Sequence, residues 1–147
     1  FNAMFLIKHA QRHFIKEGIC IRHLLDWAFF LKAEAVNVNW QRIIPMMEEC
    51  RVLNFAKVMT SICINELGIT ISVNELLGPC CISKSVLADI LGEQPNIFKE
   101  NIIQKIGRIL RRFYRMWKFR QLADESYIRL LWNSLTFNSY IKREPQL

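Results

Sequence analysis

The sequence predicts an all-α fold: a helical bundle of six or seven helices forming a single domain over residues 1–147. Apolar residues recur at the three- and four-residue spacing of amphipathic helices, whereas strand-like alternation is confined to the short run 69–73. A chain of 147 residues, 52% hydrophobic and 22% charged, can bury a core of its own. No run of about 18 uncharged apolar residues occurs, so no membrane span is indicated and a cytoplasmic location is expected.

The predicted helices follow one another with short connections. They lie near residues 2–17, 19–33, 39–51, 53–67, 84–92, 98–121 and 124–140. Gly18 and Gly68 fall where a left-handed residue would end a helix. Asn39 and Asp124 are expected N-caps, because their side chains accept hydrogen bonds from free backbone N–H groups. Segment 69–83 is expected to be the longest connection.

Charge and cysteine content limit the classes of partner and site. Residues 1–98 carry nine basic and nine acidic side chains, whereas residues 99–147 carry eleven and four. The whole net charge of +7 therefore lies in the last third, which bears on binding partners and makes the chain basic. The five cysteines are odd in number and match no zinc-module spacing, so free thiols are expected.

All three histidines lie in the segment FLIKHAQRHFIKEGICIRHLLDW near the start of the chain. His9 and His13 share one border of the first helix, between its apolar and basic faces. The second helix is apolar around most of its circumference, which is typical of a buried helix. Its polar exceptions form one stripe: Arg22, His23 and Asp26. We expect this stripe to be buried against the two histidines of the first helix, with its charges paired.

Three interpretations of this cluster remain open: a hydrogen-bonded structural seam, a polar surface that completes a neighbouring active site, and a metal site. A metal ion needs three or four ligands. The glutamate of a zinc-protease helix is missing between His9 and His13, and Arg12 would oppose a divalent cation. No metal site is therefore predicted. No catalytic residue is assigned either, because no serine or cysteine lies in an activating context.

The segment KENIIQKIGRILRRFYRMWKFR, residues 99–120, predicts a long amphipathic helix. Its expected core-facing stripe is Ile102, Ile106, Ile109, Leu110, Phe113 and Trp117. Its expected basic-surface residues are Arg108, Arg111, Arg112, Arg115 and Lys118. Such a helix can be a core helix with a solvated basic face, or it can contact nucleic-acid phosphates, an anionic membrane or an acidic partner. No helix-turn-helix or zinc-finger pattern supports the nucleic-acid interpretation.

Several short motifs, in their order along the chain, resemble an uncharacterised nucleotidyltransferase family of Bacteroides-type gut bacteria, within the DNA polymerase β-like superfamily. The first is the run 5–27, with its H-x3-H-F, glycine turn and R-H-L-L-D-W. The others are Asn39-Trp40, Trp117-Lys118, Asp124-Glu125-Ser126-Tyr127 and Glu144-Pro145. Fuller members of that family join an N-terminal catalytic domain to a helical C-terminal region. The resemblance implies that this chain is that helical region of a longer two-domain protein.

The catalytic signature that the resemblance implies is absent. It consists of a Gly-Ser turn and paired carboxylates that hold divalent metal, Mg²⁺, against the nucleotide phosphates. This sequence contains no Gly-Ser dipeptide and no Asp-x-Asp or Asp-x-Glu on a plausible strand. The chain is therefore expected to be inactive alone and to hold no cofactor, with the metal belonging to the missing catalytic domain.

The resemblance implies a non-catalytic region that supports a nucleotidyltransferase domain of the same polypeptide and shapes its nucleotide or acceptor cleft. The candidate cleft residues are His9, His13, Arg22, His23 and Asp26. The alternative is a stand-alone helical interaction module that binds RNA or an acidic partner through the basic helix. An upstream coding region with the catalytic signature would favour the first function, and a true start at Met4 would favour the second.

Overall fold

The computed structural model describes residues 2–71, 73–77, 81–92, 102–123, 126, 128, 129 and 132, and gives only the backbone for Asn2, Glu75, residues 102–106 and Arg108. The all-α prediction is confirmed. The described residues form six α-helices and no strand: α1 (Asn2–Lys16), α2 (Ile21–Glu34), α3 (Trp40–Glu49), α4 (Leu53–Leu67), α5 (Ser83–Leu91) and α6 (Ile102–Lys118). The predicted seventh helix, 124–140, lies largely outside the described residues.

Local signals for helix ends are confirmed where the structure describes them. Gly68 ends α4 in the left-handed conformation, with φ of 65°, and Gly18 follows α1 with φ of 91°. Asn39 caps α3, because its side-chain oxygen accepts a hydrogen bond from the backbone N–H of Arg42 at 3.2 Å. Asp124, the other expected cap, lies outside the described residues.

Helix α4 lies at the centre of the fold and contacts α1, α2, α3 and α5. Its buried aromatic side chain, Phe55, packs against Phe14 of α1, with ring centroids 5.4 Å apart. Phe14 in turn packs against Phe119, the residue after α6, at 4.7 Å. These three buried rings join the first, the central and the last described helix in one core.

Two buried polar contacts accompany this apolar core. The indole N–H of Trp27 on α2 donates to the hydroxyl of Thr60 on α4 at 3.0 Å. The amide nitrogen of Gln11, a fully buried residue of α1, donates to the carbonyl oxygens of Arg51 at 2.8 Å and Leu122 at 2.7 Å. Arg51 has φ of 54°, which is uncommon outside glycine, so Gln11 fixes an unusual turn between α3 and α4.

A buried ion pair fixes α6 against α5. The guanidinium of Arg115 donates to both carboxylate oxygens of Asp89, with N–O distances of 2.9 and 3.2 Å. Arg115 is only 9% exposed, and its guanidinium lies against Gly18. A Cβ at position 18 would lie 2.9 Å from a guanidinium nitrogen, so this position requires glycine for its space as well as for its positive φ.

We expect Asp89→Ala to destabilise the fold by roughly 3 kcal/mol or more, because the substitution leaves the Arg115 guanidinium buried without its partner. Urea unfolding monitored by circular dichroism measures the loss. Glu66→Ala is the matched control, since Glu66 is an exposed acidic residue on α4 and its loss should change stability by less than about 1 kcal/mol. Equal effects of the two substitutions would contradict the structural role of the ion pair.

Candidate functional site

The three imidazoles lie together where α1 and α2 pack side by side. The ring centroids of His9 and His13 are 4.5 Å apart, and His23 lies 6.0 Å from His9 and 5.9 Å from His13. The i,i+4 spacing places the two α1 histidines on one face, and Gly18 allows the turn that brings α2 beside them. The sequence-predicted meeting of these three residues is confirmed, and we call their common surface the imidazole face.

The other groups at the imidazole face make weak or solvent-exposed contacts. Phe5, one turn before His9, stacks on its ring at 5.8 Å and is itself exposed. His13 Nδ1 lies 3.6 Å from a carboxylate oxygen of Glu17, and both side chains are largely exposed. Cys20 Sγ lies 3.5 Å from His23 Nδ1. The aromatic neighbour and the free thiol were not singled out in the sequence, although their helical spacing would have identified both.

The prediction that the polar stripe of α2 is buried is wrong. Arg22 and Asp26 are both exposed, and the described residues contain no ion pair between them. The helix buries one side only, through Leu24, Trp27, Ala28, Phe30 and Leu31. Its other apolar side chains stay outside, with Phe29 68% exposed. Apolar residues on all sides of α2 therefore did not indicate burial on all sides. Among the described α-helices, only α1 and α4 pack extensively against α2.

The imidazole face is electrostatically unfavourable to added positive charge. Partial burial is the main cause that lowers the pKa of His23 below its ordinary value of 6.5, and repulsion from His13 and His9 lowers the pKa further. The hydrogen bond with the backbone of Cys20 and the negative charge of Asp26 oppose this shift without cancelling it. At neutral pH the face therefore presents neutral His23 as a hydrogen-bond donor and acceptor.

No group of three or more His, Cys, Asp or Glu side chains is arranged to hold a metal ion within the residues that the structure describes. The absence of a metal site from this chain stays a prediction.

The orientation of α6 differs from the sequence prediction. Ile109, Leu110 and Trp117, which were expected to face the core, are exposed, and Phe113 is only partly buried. The side chains of Ile102 and Ile106 lie outside the described residues. The side of α6 that packs against the rest of the protein continues through Phe119, the next residue after the helix. Its residues follow an i, i+3, i+4, i+7 pattern: Arg112, Arg115, Met116 and Phe119. Asp89 of α5 attracts Arg115 inward, and this contact rotates the apolar stripe of α6 toward solvent.

The basic-surface candidates are consequently divided between the two sides of α6. Arg115 was expected at the surface, and this prediction is wrong because the residue is buried in its ion pair. Arg112 is half-buried, and its Nε has no hydrogen-bond partner. Arg111 is exposed and Lys118 is half-buried, with its ammonium 5.0 Å from the ring centre of Phe119. The side chain of Arg108 lies outside the described residues.

Comparison with known protein families, curated proteins and solved structures finds no match to this chain. Among the described helices, none is both long enough and apolar enough to cross a membrane. The features of this chain that bear on function are therefore the imidazole face and the solvent-facing side of α6.

We expect Asp26→Ala to change the free energy of unfolding by less than about 1 kcal/mol, because the carboxylate is exposed to water. Asp89→Ala serves as the comparison, since it removes the same functional group from a buried pair. Denaturant unfolding of both variants measures the difference. A loss of roughly 3 kcal/mol or more in Asp26→Ala would restore the buried-seam interpretation.

We expect the protein to lose stability as the pH falls from 7 to 5, in part through His23. Its pKa is lower in the folded than in the unfolded state, so the unfolded state binds the extra proton first. Above pH 6.5, the pKa of His23 in the unfolded state, the contribution of neutral His23 to the unfolding free energy is complete. As the pH falls below 6.5 toward the lower pKa of the folded state, this contribution is lost. His23→Gln, which cannot titrate, should show a smaller drop in unfolding free energy across this range, measured by urea titrations at each pH. An unchanged pH dependence in this variant would contradict the assignment.

Proposed function

We propose that this chain is a non-catalytic helical region that works beside a nucleotidyltransferase domain of the same polypeptide, in the cytoplasm. Its imidazole face would complete the nucleotide or acceptor cleft of that domain, and its helices would support it. The observation that carries this proposal is the grouping of three imidazoles within 6.0 Å, of which His9 is exposed and His13 and His23 are partly buried. The exposed side chains of Arg22 and Asp26 lie on the same helix as His23.

The composition of the imidazole face suits recognition of a polar ligand. Neutral imidazole offers one N–H donor and one acceptor. The exposed guanidinium of Arg22, the residue before His23, offers a planar set of donors that matches phosphate oxygens. Phe5 and His9 already stack on each other, so the same surface presents aromatic faces against which a planar base can pack. A structural seam would instead enclose these groups, whereas His9, Arg22 and Asp26 are exposed.

The alternative function, RNA binding through the basic helix, has weaker support. Phosphate binding requires several cations on one accessible surface. Arg115 is engaged by Asp89, and Arg112 is half-buried, which leaves Arg111 as the one exposed arginine among the described side chains of α6. The acidic-partner form of the alternative retains support from another feature of α6, the exposed apolar residues.

Residues 1–147 alone should transfer no nucleoside monophosphate from any ribonucleoside triphosphate, with Mg²⁺ or Mn²⁺ present, because they lack paired metal-binding carboxylates. In the complete gene product, the double substitution His9→Ala/His13→Ala should lower kcat/KM by about tenfold or more, mainly through KM, at an unchanged melting temperature. Steady-state kinetics and thermal melts provide the two measurements.

Lys32→Ala is the matched control, because Lys32 is an exposed residue of α2 and should leave the kinetics unchanged. Three results would overturn the proposal. They are metal-dependent transfer by residues 1–147 after clean purification, a reading frame without a Gly-Ser turn and paired carboxylates upstream, and wild-type kinetics in the double variant.

A further inference from the structure

Helix α6 presents an apolar stripe to solvent, formed by Ile109, Leu110, Tyr114 and Trp117. Their exposures are 46%, 63%, 59% and 53%. Leu110, Tyr114 and Trp117 follow i, i+4, i+7 spacing, so they lie in line along one side of the helix. Scattered exposed apolar residues are ordinary on a protein surface, but a continuous line of large ones marks an interaction site.

The opposite side of α6 prevents the stripe from turning inward. Met116 and Phe119 are fully buried, and Phe119 packs against Phe14 of α1. Arg115 is held by both oxygens of Asp89. Rotation of α6 by half a turn would expose these two apolar side chains and separate the buried ion pair, leaving a buried charge without its partner. The outward direction of the stripe is therefore set by the core.

The charges beside the stripe decide which kind of occupant fits. The helix carries no acidic residue, and its basic residues are Lys105, Arg108, Arg111, Arg112, Arg115 and Lys118. Arg111 is exposed beside the stripe, and the guanidinium of Arg120 lies 5.4 Å from the ring centre of Trp117. A second copy of α6 would bring like charges together, so self-pairing along this stripe is disfavoured.

We propose that the α6 stripe is a docking surface for an amphipathic helix whose apolar side is flanked by Asp and Glu. The occupant's apolar residues would pack over Leu110, Tyr114 and Trp117, as ridges of one helix pack into grooves of another. The acidic residues that flank the apolar side of the bound helix would lie against Arg111 and Arg120. These charge contacts determine the orientation and specificity of the bound helix more than its affinity. This inference stands on α6 and does not depend on the imidazole face.

A lipid surface matches the stripe less well than a protein helix does. An interfacial helix attaches to an anionic membrane more strongly with each basic residue that lies near the lipid surface. In α6, Arg115 cannot contact lipid headgroups because it is buried in its ion pair with Asp89. Arg112 is half-buried against the rest of the protein.

Nucleic-acid bases stack on aromatic side chains, which the stripe offers at Tyr114 and Trp117. The aliphatic side chains of Ile109 and Leu110 add apolar area that suits the apolar side of a protein helix.

The test uses residues 1–147 and a synthetic helical peptide of about 18 residues, with a leucine stripe flanked by glutamates. Titration with the fluorescently labelled peptide should show saturable binding, and the same peptide with lysines in place of glutamates should bind at least about tenfold more weakly. The substitutions Leu110→Ser and Tyr114→Ser should each weaken binding of the glutamate peptide by about tenfold. Both residues are exposed, so thermal melts should stay unchanged.

Phe29→Ser is the matched control, because Phe29 is an exposed apolar residue of α2 and should leave binding unchanged. The proposal is overturned if neither peptide binds at about 100 µM, or if both peptides bind equally well. It is also overturned if Phe29→Ser weakens binding as much as Leu110→Ser. Tighter binding of the protein to vesicles of phosphatidylcholine with about one-third phosphatidylglycerol than to the glutamate peptide would contradict the proposal. Dimerisation of the protein that Leu110→Ser abolishes would contradict it as well.

Discussion

The ion pair between Arg115 and Asp89 decides how the last described helix meets the rest of the protein. It lies over Gly18, so three distant parts of the chain meet at one guanidinium: the turn after α1, the helix α5 and the helix α6. The pair is bidentate and mostly buried, which makes it specific in geometry and costly to break. The buried position of Arg115 contributes, with the buried Met116 and Phe119, to the outward direction of the apolar stripe. With the half-buried Arg112, it also interrupts the basic surface of α6.

Local features of the fold were predictable because they depend on neighbouring residues. The predicted bounds of α4 match those observed, Leu53–Leu67, and the cap at Asn39 and the positive φ at Gly18 and Gly68 are confirmed. The grouping of the three histidines also follows from local geometry, since two share a helix face and the third follows a tight turn.

The sequence-based predictions were wrong where packing depends on residues that are distant in the sequence. The apolar periodicity of α6 indicated its amphipathic character but not which face packs inward, because Asp89 lies 26 residues before Arg115. In α2, apolar residues on every side suggested full burial, yet only the side containing Leu24 and Trp27 is covered. Gln11 escaped notice for the same reason. Its partners, at Arg51 and Leu122, lie 40 and 111 residues away.

The two hydrogen bonds of Gln11 also bear on the order in which the chain folds. The amide nitrogen of Gln11 donates to one carbonyl from the middle of the described chain and to one from near its end. During synthesis, α1 is made before the other described helices, but the buried amide nitrogen of Gln11 acquires its second acceptor only when residue 122 has been made, so the core around α1 closes late. Contacts of such long sequence separation slow folding, because loop closure must precede them. Until residue 122 is made, the apolar face of α1 is incompletely covered, and this interval is when aggregation competes most strongly with folding.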